Sequence, residues 1–171
     1  MMQAARTDLT QFAPLYERYA ARIYAYCLRR VKSREEAEDL TSLVFTHALN
    51  GLQNYQGGSA AAWLFRIAHN TVVSHYRSRK PQMPLEALEE DFDASDLAEN
   101  VMQDEVRRDL RAFVSKLPDD QQELIELRIT AGLSAEEVGK VVGKSAGAVR
   151  VEYHRIIKRL RLWLQQERDA E

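Results

Sequence analysis

The sequence predicts an all-α protein: two small helical domains joined by an acidic flexible linker, the C-terminal one a helix-turn-helix. Three observations predict it. Apolar residues recur at spacings of three and four along most of the 171-residue chain, which is the period of one helix face. Capping boxes, a serine followed three residues later by glutamate, punctuate these runs at Ser33–Glu36 and Ser134–Glu137. Between Glu86 and Glu105 nine acidic side chains occur without one lysine or arginine; like charges at that density repel, so the segment reads as a tether.

In the first block, Phe12, Leu15, Tyr16, Tyr19, Ile23, Tyr26 and Cys27 outline the opening helix. Pro14 removes a backbone donor, so that helix either starts just before it or bends there. Ser33 opens a second helix carrying Ala37, Leu40, Val44 and Ala48, and Asn50–Gly51 stops it. After the loop Tyr55–Gly58, Ser59 caps a third helix with Trp63, Leu64, Ile67, Ala68, Thr71 and Val72, which ends at Arg79 before Lys80–Pro81.

The second block begins near Val101 with the amphipathic set Leu110, Phe113, Val114, Leu117. Pro118 suits the first turn of the next helix, and Asp119 and Asp120 favour its positive end. That helix carries Leu124, Ile125 and Leu127 and stops around Gly132. Ser134 opens a short helix to Val142–Gly143, and Ser145 caps a long final one with Val149, Tyr153, Ile156, Leu160 and Leu164.

Composition narrows the class. The single cysteine, Cys27, cannot form an internal disulfide, and no cysteine cluster suggests zinc. No apolar run is long enough to span a membrane and the N-terminus lacks a signal-like stretch, which together point to the cytoplasm. His69 and His75 stand six apart and do not share a face as a metal pair would. Phosphate loops and nucleophile elbows are missing. No catalytic residue, metal or cofactor is expected, and the chain does not read as an enzyme.

Nucleic acid is the better expectation, because a net charge of −2 says nothing about where the basic residues lie. Helix, tight turn at Gly143–Ser145, helix is the pattern that places the start of its second helix in the major groove. There Ser145, Ala146 and Gly147 are small enough for close approach, and Arg150 can reach a guanine edge with two bonds. His154 and Arg155 follow toward bases or phosphates, and Lys158 and Arg159 toward the backbone. The third helix forms a second basic surface. Arg66, Asn70 and Ser74 share a face there with Arg77, Phe65 is placed at the surface, and Tyr55 and Gln56 precede it. Basic residues among aromatics and amides suit unstacked single-stranded bases; Trp63 is expected to pack inside.

These motifs resemble the extracytoplasmic-function sigma factors of bacterial RNA polymerase. Leu15–Tyr19 is similar to that family's opening helix, Glu36–Thr41 with Val44–Phe45 to its polymerase-binding helix, and Trp63–Asn70 to its promoter-melting helix. Leu117–Pro118, Gly132–Val138 and Gly147–Arg150 resemble its C-terminal domain. The resemblance implies region 2 over residues 8–80, a linker over 81–104 and region 4 over 105–166. It implies core RNA polymerase as partner through Asp39, Thr41, Ser42 and Leu43, promoter DNA both single-stranded at the minus-ten element and duplex at the minus-thirty-five element, and an anti-sigma factor. The acidic linker could mimic RNA in a basic channel or be a plain tether. Leu43 either meets the partner or packs on the third helix.

Departures from the pattern bear on specificity. Ser42 and Leu43 replace glutamine and glutamate, His75 replaces an aspartate, and Val151–Glu152 replace serine and arginine. Glu152 could accept from a cytosine amino group or repel phosphate. Two other functions compete: a dimeric operator-binding regulator independent of polymerase, and a helical protein-binding adaptor.

Overall fold

The computed structural model describes residues 12–31, 33–78 and 101–170. Seven α-helices occur among them: α1 (Ala13–Leu28), α2 (Arg34–Gly51), α3 (Ala60–Ser78), α4 (Val101–Ser115), α5 (Asp119–Ile125), α6 (Ala135–Val142) and α7 (Ala146–Ala170). There is no strand among the described residues, in agreement with the all-α expectation. The acidic segment up to residue 100, together with Arg79 and Lys80, lies outside them; α4 begins at Val101.

Local chemistry explains the boundaries. Pro14 falls in the first turn of α1, where its missing donor costs nothing, so the helix starts before it and does not bend. Ser33 Oγ accepts from the Glu36 N–H at 3.2 Å, and Ser59 Oγ from the Ala62 N–H at 3.1 Å. Between α2 and α3 a 3₁₀ turn, Leu52–Asn54, leads into a loop closed by the Tyr55 hydroxyl donating to the Gly58 carbonyl at 2.6 Å. Glycines 57 and 58 take φ values of 95° and 97°, which side chains with a Cβ resist.

Helices α1, α2 and α3 pack on one another around Leu15, Ile23, Leu40, Val44, Leu64 and Ala68. Burying each large aliphatic residue stabilises this bundle by about 1.5–3 kcal/mol. The second half is organised by α7, which packs on α4, α5 and α6 and buries Val149 and Ile156 beside Leu124, Leu133 and Val138. Helix α5 does not stop cleanly. It widens into a π-helical turn, Glu126–Thr130, a local form that recurs at functional positions.

Candidate nucleic-acid and polymerase interface

The helix-turn-helix is formed by α6, Gly143–Ser145 and α7. Ser134 and Glu137 complete the capping box in both directions, at 3.2 and 2.7 Å, and Gly143 ends α6 in the left-handed conformation. The closeness of the two helices depends on Gly139, which the sequence reading missed. A Cβ there would run into the Lys144 carbonyl oxygen. Ser145 Oγ accepts from the Ala148 N–H at 3.1 Å and starts α7. Gly147, Arg150, His154, Arg155 and Lys158 are exposed along one side of α7, Ser145 is exposed at its start and Ala146 is half-buried. Among the described residues, no ion pair involves Arg150, Arg155 or Lys158. Their charge is therefore available to phosphates and base edges.

Glu152 behaves differently. Its carboxylate accepts from Lys144 Nζ at 2.8 Å, and the same ammonium reaches Asp120 at 3.3 Å. The bond to Glu152, with Asp120 adding to it, holds the Lys144 pKa above its ordinary value despite partial burial. Glu152 is thus paired within the fold.

On α3, Arg66, Asn70, Ser74 and Arg77 are exposed and share one face, with Gln56 exposed in the preceding loop. Two expectations need correction. Phe65, expected at the surface, is only 1% exposed and sits edge-on to Tyr26 at 5.5 Å. Tyr55 is buried against Trp63 and shapes the loop rather than offering a ring to a base. Trp63 is half-buried. On α2, Asp39, Ser42 and Leu43 lie on one exposed face, and Leu43 is 43% exposed. Much of the Leu43 side chain is therefore accessible on this face. Thr41 points the other way, buried, with its hydroxyl donating to the Ala37 carbonyl at 2.7 Å. It holds the helix and offers nothing to a partner. The signal was present: Thr41 falls four residues after Ala37 and three before Val44, inside the apolar period. Tyr16 and Leu49 are also exposed.

The two halves meet in a polar seam that the sequence reading did not foresee. Arg30 donates to Glu126 Oε2 at 2.8 Å, lies 3.7 Å from Glu123, and stacks on the Tyr26 ring. Arg29 pairs with the other Glu126 oxygen at 3.0 Å. Glu123 also meets His69 Nδ1 at 2.8 Å and accepts from the Tyr26 hydroxyl. Glu126 is 4% exposed. Burial pushes the Glu123 carboxyl up, but the His69 bond, the Arg30 charge and the Tyr26 bond outweigh it, so its pKa lies below the ordinary value. Alongside, α6 packs against α3 and Glu137 contacts Ser59. No group of residues suited to a metal, and no helix long and apolar enough to cross a membrane, occurs among the described residues.

Fold and surfaces together define a helical protein with a helix-turn-helix in one half and a basic exposed helix in the other. Residues 15–82 match the family model Sigma-70 region 2, and residues 107–160 match Sigma-70, region 4. The chain is 34% identical over 164 residues to the ECF RNA polymerase sigma factor BldN of Streptomyces coelicolor, covering 92% of this chain and 61% of BldN. It is 33% identical over 162 residues to the RNA polymerase sigma factor YlaC of Bacillus subtilis, covering 92% and 94%. The structure of CnrH in complex with the cytosolic domain of CnrY has the same fold, with a TM-score of 0.62, 24% identity and coverage of 99% and 94%. The chain belongs to the sigma-70 family of RNA polymerase sigma factors, in the extracytoplasmic-function class. It spans about three fifths of the length of BldN.

Proposed function

We propose that this chain is a sigma factor that binds core RNA polymerase and directs promoter-specific initiation in the cytoplasm, under control of an anti-sigma factor and without enzymatic activity of its own. The observation that carries the reading is the presence in one chain of two exposed basic helix faces, on α3 and on α7. They belong to halves that match different sigma regions. In this reading, region 2 extends over residues 8–80, a linker over 81–104 and region 4 over 105–166. Asp39, Ser42 and Leu43 contact the polymerase. Arg66, Asn70, Ser74 and Arg77, with Gln56, take the melted minus-ten strand, and Tyr55 and Phe65 shape that surface from within. Ser145, Ala146, Gly147, Arg150, His154, Arg155 and Lys158 take the duplex minus-thirty-five element.

The two elements are about 25 base pairs apart by position, roughly 85 Å along B-form DNA at ~3.4 Å per pair. With α3 and α6 in contact, the two helices cannot occupy both elements at once, so promoter engagement requires the seam to open. The test is transcription with purified core polymerase on a panel of promoter templates. Promoter-specific initiation that depends on this chain supports the reading. Repression of initiation supports the operator-binding alternative, and no effect on initiation removes the reading.

A further inference from the structure

We propose that Val151 reads the 5-methyl group of a thymine in the upstream duplex element, an inference that rests on the sigma-factor reading above. Val151 is 51% exposed, an apolar β-branched side chain held out to solvent on the start of the recognition helix. Successive helical residues turn by about 100°. Gly147, Arg155 and Lys158 therefore lie within about 40° of Val151 around the helix axis, and His154 within about 60°. All four are exposed. Buried Val149 and Ile156 lie on the opposite side. Val151 thus occupies the centre of the face that meets the groove, with Arg150 at its edge.

Two neighbours make the centre of that face apolar. Glu152 is turned away into its pair with Lys144 and Asp120, so it does not compete for base edges. Gly147, one turn earlier, has nothing closer than the Ser145 hydroxyl oxygen, 3.9 Å from where a Cβ would stand. A notch therefore opens beside the valine methyl groups. The major groove offers one apolar feature that fits such a surface, the thymine C5-methyl group. Of the other exposed large apolar residues among those described, Leu162 alone is on α7. It lies three turns further along and lines a groove with Phe113 and Trp163 instead.

The experiment uses the complete chain with core polymerase and a promoter obtained by selection from templates randomised in the upstream element. Each thymine of that element is replaced singly by deoxyuridine, which pairs identically but lacks the methyl group. We expect one position at which the replacement weakens promoter binding by about four-fold, the worth of one buried methyl group. In Val151→Ala, whose site is too exposed to affect folding, that sensitivity should disappear. Arg150→Ala should retain it. Insensitivity to deoxyuridine at every position, a selected element without thymine, or sensitivity unchanged in Val151→Ala overturns the proposal while leaving the sigma-factor reading intact. Failure to obtain any promoter-specific initiation overturns both.

Discussion

The helix-turn-helix and the seam between the halves are built from opposite materials. The first is closed by apolar side chains, Leu124, Leu133, Val138, Val149 and Ile156, and by the bare backbone of Gly139. The second sets Arg29, Arg30, Glu123, Glu126, Tyr26 and His69 beside the packing of α6 on α3. Apolar packing is nearly indifferent to ionic conditions and releases nothing to a charged partner. A charged contact has an alternative: its groups regain hydration or meet other charges when it opens. Apolar contacts seat the recognition helix, whereas charged side chains line the seam beside the packing of α3 on α6.

The most damaging change should be in the helix-turn-helix. Ile156→Ala empties a fully buried position and should cost about 2–5 kcal/mol. Urea denaturation followed by circular dichroism should show a lower midpoint with base-element binding lost, since α7 no longer has a fixed seat. An unchanged midpoint would mean that α7 is held by other contacts.

Glu126→Ala attacks the other side of the comparison. It leaves the largely buried Arg30 facing Glu123 alone and should weaken the seam by about 3 kcal/mol. Helix content should stay the same while small-angle scattering reports a larger radius of gyration. A parallel loss of helix would show that the halves depend on each other for folding.

Next in size is the split between Arg150 and Lys158 on the open face of α7. Arg150→Ala should cost about 1–3 kcal/mol at one base pair and flatten preference there. Lys158→Ala should weaken all sequences alike and reduce the salt slope by about one. Binding to single-base promoter variants at two salt concentrations separates the two. A uniform loss in Arg150→Ala would make it a phosphate clamp.

The smallest effect comes from acid. Glu123 has a lowered pKa in the folded chain, so the seam binds its ionised form more strongly. That contribution is fully present above the ordinary carboxylate pKa of about 4.5 and is lost as pH falls below it through the folded value. Scattering between neutral pH and pH 4 should show gradual opening at the acid end, and Glu123→Gln should remove most of the pH dependence. Opening toward alkaline pH would contradict the assignment.

Helices, caps and the helix-turn-helix could be read from residue spacing because each depends on neighbours within a few positions. Ser33, Ser59, Ser134 and Ser145 cap where expected, and the exposed faces of α2, α3 and α7 follow from helical period. Misjudged residues share one cause. The helical period of α3 puts Trp63 and Ile67 inside and leaves Phe65 for the surface. That helix buries a second face against Tyr26 beside the seam. Thr41 and Tyr55 have the chemistry of partner contacts, but their hydroxyls are taken by the carbonyls of Ala37 and Gly58.

By itself the sequence determined the helical class, the two-part organisation and the basic faces, since these are properties of short-range periodicity and charge. Only the tertiary structure decided which charges are free and which are committed. Arg30 and Arg150 are alike as residues, yet one is locked to a glutamate 96 positions away and the other stands exposed. Long-range pairing leaves no local period, because its partners are chosen by how whole helices pack.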